Sequence, residues 1–181
     1  MNLPPNGQSN GFTRPELLLL PANGFFAAFT VLLALLLDLL PWGQSAAVPQ
    51  WTALVLSFWG VQQPRMIGFT WAFMLGVLLD VHASAVLGEQ ALGFLVISFG
   101  AVALHRRLLA FGLLGQMLHV ITLLLIAQAC RVLLRLALGA EFPGWWIFLS
   151  PMSTGLLWPL FAPMLLAPQR RSVEYDDTRP L

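Results

Sequence analysis

The sequence predicts an all-α fold, a polytopic bundle of membrane helices, and three observations support this prediction. First, 58% of the 181 residues are hydrophobic. Second, only 9% are charged, against roughly 25% in soluble domains, and so few charges could not cover a water-exposed surface. Third, the apolar residues come in long runs, which suit spanning helices and not the alternating pattern of a β-barrel. The apolar excess is therefore expected to face lipid, with no room for a separate soluble domain.

A spanning helix needs about 20 mostly apolar residues, and the chain offers six candidate segments. The candidates cover approximately 24–40, 47–62, 66–80, 90–104, 111–138 and 145–167. Pro41 closes the first segment and Pro64 stops the second, because proline cannot continue a helical hydrogen-bond ladder. Pro49 lies near the first turn of the second segment, where proline is tolerated. The third segment runs into an acid, Asp80.

The last three segments end at recognisable stop signals or carry prolines. The fourth is expected to end before Arg106, and the fifth ends at Gly139, a residue typical of helix C-termini. The sixth carries Pro151, Pro159 and Pro163, which are tolerated because neighbouring helices can satisfy the freed carbonyl groups. Segments two to four are short, so the alternative to six crossings is four crossings with re-entrant pieces.

Six crossings place both termini on the same side of the membrane, and the arginines indicate which side. Several arginines fall in the tails or in the even-numbered loops: Arg14, Arg65, Arg106, Arg107, Arg170 and Arg171. The positive-inside rule makes this side cytoplasmic. We expect 1–22 to be a flexible N-terminal tail, 23–168 to be the transmembrane helical domain, and 169–181 to be a flexible cytoplasmic C-terminal tail.

Small residues and an acid share one face of the third segment. Gly68, Ala72, Gly76 and Asp80 follow each other at intervals of four, so on a helix they lie on one side. Small residues at this spacing let another membrane helix approach closely. With Gly88 in the following loop, they form a candidate helix-packing or partner interface. Asp80 is interpreted as an interfacial acid that caps a helix pair or bonds backbone amides of that loop; a polar functional site at the outer membrane face is the alternative.

Several charged residues are predicted near the outer face. Asp38 lies about one turn from the outer end of the first segment, and Glu89 lies just before the fourth. Arg131 and Arg135 follow about 20 residues of the fifth segment, so both can sit at the outer interface or snorkel to it. We expect an ion-pair network that ties the fifth helix to the first and third. A cation pathway is the sharper alternative.

A polar stripe is predicted on the fifth helix. Gln116, His119 and Thr122 stand at i, i+3 and i+6 in an apolar segment, and such buried side chains usually form hydrogen bonds between helices, each contributing about 0.6–2 kcal/mol. No three metal ligands are expected at one depth, since His82 and His105 are predicted at opposite ends of the membrane. The sequence contains no serine nucleophile elbow, phosphate-binding glycine loop or H-E-x-x-H motif. We therefore expect no enzyme activity and no cofactor.

The stretch 68–94, GFTWAFMLGVLLDVHASAVLGEQALGF, combines a glycine-rich helix ending in G-x-x-x-D with a short L-G loop and a helix start of small residues. These motif positions are Gly76, Asp80, Leu87, Gly88, Ala91 and Leu92. Three further motifs stand at matching places: Asp38-Leu39-Leu40-Pro41-Trp42, Gln63-Pro64-Arg65 and Gly155-Leu156-Leu157-Trp158-Pro159. In this order and spacing they resemble the rod shape-determining protein MreD family, over about residues 25–170.

The resemblance implies a small, non-enzymatic scaffold in the bacterial inner membrane. It implies binding to MreC and membership of the rod complex, which contains the actin-like MreB, the glycosyltransferase RodA and a penicillin-binding transpeptidase. That complex directs side-wall peptidoglycan synthesis and cell shape, and no nucleic acid partner is expected. The family is also distantly similar to the substrate-binding membrane subunits of vitamin transporters. A membrane transporter or small-molecule-binding membrane subunit is therefore the alternative.

Overall fold

The computed structural model describes residues 24–42, 47–64, 68–83 and 86–167. All regular elements in these ranges are helical, which confirms the all-α prediction. They follow in the order α1 Gly24–Leu39, α2 Trp51–Gln62, α3 Phe69–His82, α4 Glu89–Ala110, α5 Leu113–Ala137, a 3-10 turn Trp145–Phe148, α6 Leu149–Leu156 and α7 Trp158–Leu166. The predicted tails, 1–22 and 169–181, lie outside the described residues.

Helix α4 is longer than the sequence predicted. The expected end before Arg106 is wrong, because the helix continues through Arg106 and Arg107 to Ala110. Both arginine side chains are exposed, so extending the helix buries neither charge. Arg107 lies in the last turn, where a cation interacts favourably with the helix dipole. Only Phe111 and Gly112 separate this helix from α5, so α4 and α5 form a tight hairpin.

The sixth predicted segment is a broken helix. The chain passes through the 3-10 turn into α6, and α7 then continues with a bend of 40°. The bend lies at Leu157, and Pro159 follows in the first turn of α7. Proline has no backbone N–H and its ring crowds the preceding turn, so it both ends α6 and begins α7.

Two of the described helices, α4 and α5, are long and apolar enough to cross a membrane. The bent segment from Trp145 to Leu166 gives a third crossing if it counts as one span. Helices α1, α2 and α3 contain 16, 12 and 14 residues, below the roughly 17–25 residues of a full span. The described chain is therefore a helical membrane protein, and the six crossings stay a prediction.

Helix α2 lies at the centre of the bundle, with every residue from Thr52 to Val61 buried. It contacts α1, α4 and α6. The indole Nε1 of Trp59 donates to Thr30 Oγ1 on α1 at 2.9 Å, one of the polar bonds between helices that supplement packing in lipid. The large exposed apolar side chains lie on the surrounding helices, among them Phe29, Trp71, Phe99, Leu133 and Leu160.

Candidate functional site

A group of polar side chains lies where α1 and α3 end, where α2 and α4 begin, and beside the last turns of α5. We call it the polar cluster. Its members are Asp38, Gln50, Asp80, Gln90, Gln128 and Arg131. Because these residues come from five different parts of the chain, the cluster depends on the packing of the whole bundle.

Arg131 is the buried cation at the centre of the polar cluster, with only 4% of its surface exposed. Its guanidinium donates to the side-chain carbonyl oxygens of Gln50, at 3.0 Å, and of Gln90 and Gln128. These glutamines precede α2, begin α4 and lie on α5, so one side chain joins three helices. Gly93 leaves space for it, since a Cβ atom there would lie 2.7 Å from Arg131 Cδ. The three amide oxygens offset part of the cost of burying a cation.

Asp80 fixes the start of α4 from the last turn of α3. Its carboxylate accepts backbone N–H bonds from Gly88 at 2.8 Å, Gln90 at 2.7 Å and Ala91 at 3.4 Å. Such N–H groups lack intrahelical partners, and a negative charge beside them is favoured. Gly88 has a φ of +98°, which lets the chain turn sharply into α4. These are the bonds that the loop-bonding interpretation of Asp80 requires.

Asp38 bonds the start of α2 in the same way that Asp80 bonds the start of α4. Its two carboxylate oxygens accept the backbone N–H groups of Trp51 at 2.9 Å and Thr52 at 2.7 Å. The sequence placed Asp38 near the end of α1 but did not indicate that it would cap the next helix. Helices α2 and α4 therefore both begin against a carboxylate from the helix that precedes them.

The residues before α2 are also bonded to α6. The backbone N–H of Gln50 donates to Thr154 Oγ1 at 2.8 Å, and its side-chain Nε2 donates to Ser150 Oγ at 3.1 Å. Ser150 Oγ in turn donates to the carbonyl oxygen of Val48 at 2.7 Å. Gln50 thus links the buried arginine to the broken helix at the C-terminal side of the bundle.

The predicted ion-pair network forms only in part. Arg135 Nε lies 3.5 Å from Glu89 Oε2, which joins α5 to α4. In the described ranges no ion pair within 4 Å joins Arg131 to Asp38 or Asp80. The expected ion pairs from the fifth helix to the first and third are therefore wrong, because helix N-termini already bond these carboxylates. The glutamines hold Arg131 inside the bundle, and its position at the outer interface stays a prediction.

The small-residue face of α3 is used inside the chain. Ala72 is fully buried and Gly76 is buried, and a Cβ atom at Gly76 would collide with the backbone of Ala91 on α4. This face therefore packs on α4 and is not free for another protein. Gly68 does not belong to the contact: it is exposed, precedes α3, and a Cβ atom there would meet nothing within 4 Å.

The polar stripe on α5 is not the buried set that its spacing predicted. Gln116 is half-buried and accepts a bond from Trp158 Nε1 on α7 at 3.3 Å. His119 and Thr122 instead bond the carbonyl oxygens of Gly115 and Leu118 on their own helix, at 2.8 and 2.9 Å, and Thr122 is exposed. Among the residues that the structure describes, no three His, Cys, Asp or Glu side chains are placed to hold a metal ion.

The three glutamines are the site residues that sequence reasoning missed. Gln128 carried the strongest signal, because it precedes Arg131 by three residues and so shares its helix face. Gln50 and Gln90 offered no comparable signal, since each lies next to the start of a helix and many residues away from Arg131. Beside them the structure contains a cavity of about 180 Å³, lined by Asp38, Val48, Pro49, Gln50, Leu79, His82, Ala83, Gln90 and Phe94.

The fold and the polar cluster define a helical membrane protein whose buried polar groups hold helix ends together. Residues 22–166 match the family described as rod shape-determining protein MreD. The rod shape-determining protein MreD of Haemophilus influenzae is 31% identical over 153 residues, which cover 81% of this chain and 93% of that protein. The chain belongs to the MreD family, which implies a role in cell shape. No solved structure matches it.

Proposed function

We propose that the chain is a non-enzymatic scaffold of the rod complex in the bacterial inner membrane, and that it binds MreC. In this proposal it supports side-wall peptidoglycan synthesis together with MreB, RodA and a penicillin-binding transpeptidase. Six crossings would place both termini in the cytoplasm. The observation that carries the proposal is the family match over residues 22–166.

The hydrogen bonds of the polar cluster support a scaffold function more than an enzymatic one. Both carboxylates of the cluster, Asp38 and Asp80, accept backbone N–H groups at helix starts, and Arg131 is occupied by amide oxygens. A general acid or base needs a proton that it can exchange with a substrate. These groups are engaged in joining helices, so their arrangement serves the shape of the bundle.

Co-purification with MreC tests the proposed function. MreC is expected to be retained by the tagged chain after solubilisation from membranes. A folded Asp80→Asn variant is expected to retain it as well, because Asp80 faces α4 and only 1% of it is exposed. Absence of MreC from the purified wild-type chain would contradict the scaffold proposal. Loss of MreC from a folded Asp80→Asn variant would indicate that Asp80 belongs to the partner interface after all.

The cavity beside the polar cluster favours a second candidate function, a small-molecule-binding membrane subunit. Its lining includes a carboxylate, two amides and an imidazole, from Asp38, Gln50, Gln90 and His82. Ligand pockets commonly combine apolar walls with a few such polar groups. Native mass spectrometry of the purified chain tests this candidate. A bound molecule at near-stoichiometric occupancy would favour it over the scaffold.

A further inference from the structure

The cavity beside the polar cluster has walls of two kinds. Leu79 and Phe94 supply apolar surface from α3 and α4, while Asp38, Gln50 and Gln90 bring polar groups to it. Among the described residues that line it, none is a lysine or arginine, and the imidazole of His82 is the side chain that can become cationic. At about 180 Å³ it has room for several water molecules, or for one long side chain or a small amine.

The carboxylate of Asp38, which lines the cavity, keeps acceptor capacity. A carboxylate has about four lone-pair sites, and the N–H groups of Trp51 and Thr52 use one on each oxygen. In the described part of the chain, no ion pair within 4 Å joins Asp38 to a cation, and Arg131 acts on it only at longer range. The start of α2 offsets part of the negative charge but supplies no counter-ion.

Arg131 does not line the cavity, and its positive charge already interacts with other groups. Its guanidinium bonds the carbonyl oxygens of Gln50 and Gln90, so these oxygens are turned toward it. Three carboxylates act on it electrostatically, those of Glu89, Asp80 and Asp38. With Arg135 paired to Glu89, this end of the bundle has three acids and two bases among the residues discussed, a deficit of one positive charge.

We propose that the cavity binds an organic cation, a primary ammonium or guanidinium group carried on an apolar stem. The charged head would lie at Asp38 and the stem along Leu79 and Phe94. Both the side chain of a lysine or arginine from another protein and a free alkylamine have this chemistry. The proposal goes beyond the scaffold function and does not depend on it.

Charge-selective thiol labelling tests whether the electrostatic potential in the cavity is negative. Cys130 is replaced by Ser, and a thiol is introduced with Ala83→Cys in the cavity or with Leu87→Cys, an exposed residue outside its lining. Each variant is labelled with a cationic trimethylammonium and an anionic sulfonate methanethiosulfonate. The ratio of cationic to anionic rates is expected to be about tenfold higher at position 83, because the reagents differ by two charges beside Asp38. Equal ratios would overturn the proposal.

Matched variants assign the selectivity to Asp38. Asp38→Asn in the Ala83→Cys background is expected to bring the ratio down to that of Leu87→Cys. The amide keeps one of the two acceptor oxygens, so one of the bonds from Trp51 and Thr52 can remain. Asp80→Asn removes the same charge from a cap that does not line the cavity, so it is expected to change the ratio far less. Equal effects of the two substitutions would overturn the role of Asp38.

Protection of the introduced thiol tests binding itself. Butylammonium is expected to slow labelling at position 83 by a neutral reagent, and butanol at the same concentration is not. Equal protection by both, or by neither, would overturn the proposal. Protection in native membranes that is lost on purification would assign the cation to a partner's side chain. Equal labelling in membranes and in detergent, with butylammonium protecting in both, would assign it to a free amine.

Discussion

Arg131 is held by neutral amide oxygens, and each carboxylate near it is bonded elsewhere. Asp38 and Asp80 accept helix N–H groups, and Glu89 pairs with Arg135. The buried cation therefore interacts with three negative charges at longer range and with three amides directly. Because the members share partners, removing one leaves others unsatisfied, and substitutions within the cluster are not expected to be additive.

Arg131→Ala is expected to lower the free energy of unfolding by at least about 1–3 kcal/mol, the cost of leaving a buried acceptor without its donor. Three glutamine carbonyl oxygens would lose their donor. Arg135→Ala is the matched control: its side chain is about a third exposed, and its pair is expected to contribute about 0.2–1 kcal/mol. Denaturant unfolding in mixed micelles measures both. Equal losses would contradict the central position of Arg131.

At the scale of helices, the contact between α3 and α4 depends on a small residue at Gly76. The two helices follow each other in the chain, and Asp80 bonds the start of α4 from the end of α3. Ala72 and Gly76 then let the backbones approach closely. The capping bond and the close contact support each other, because both need α3 and α4 in the same relative position.

Gly76→Ala is expected to destabilise the protein by about 1–3 kcal/mol, as for an overpacked core. The added Cβ atom would collide with the backbone of Ala91, which cannot move aside as a flexible side chain would. Gly68→Ala is the control at the N-cap of α3, outside the contact: its Cβ atom would meet nothing within 4 Å, so it is expected to cost only the loss of a favoured N-cap residue. Thermal unfolding of both variants in one detergent provides the comparison. A loss no larger at position 76 than at 68 would show that the helices do not meet there.

Helix positions could be predicted from the sequence because apolar runs and prolines are local signals. The glutamine partners could not be predicted, since Gln50 and Arg131 are 81 residues apart and meet only once the whole bundle has packed. The stripe prediction failed for a geometric reason. At about 100° per residue, Thr122 lies about 120° around the helix from Gln116, so the two cannot share one buried face.

At the scale of the whole molecule, the described bundle turns apolar side chains outward and keeps its polar cluster inside. Trp145 and Trp146 are the most exposed residues of the turn before α6, at 78% and 72%. Tryptophan side chains concentrate at membrane–water interfaces, where an apolar ring meets a polar edge. We therefore predict that this turn lies at the outer interface of the bilayer.

Brominated lipids test the placement of the turn. Replacing Trp145 and Trp146 together by Phe removes their emission, and the difference from the wild type gives the fluorescence of these two residues. This fluorescence is expected to be quenched most by bromine atoms near the headgroups. Trp59 serves as the control, because it is fully buried. The fluorescence assigned to it by the same subtraction is expected to be quenched only weakly by bromine at any position. Strongest quenching of the paired tryptophans from the bilayer centre would contradict the predicted interface.

The proposed binding of MreC is expected to use the exposed apolar surface of the bundle, because α4 occupies the small-residue face of α3. Cysteine crosslinking to MreC in native membranes, in a Cys130→Ser background, tests this claim most directly. Adducts are predicted at a set of exposed positions such as Trp71, Met74 or Leu78, or at exposed positions on other helices, and none at Ala72 or Gly76. An MreC adduct from Ala72 or Gly76, or none from any exposed position, would contradict it.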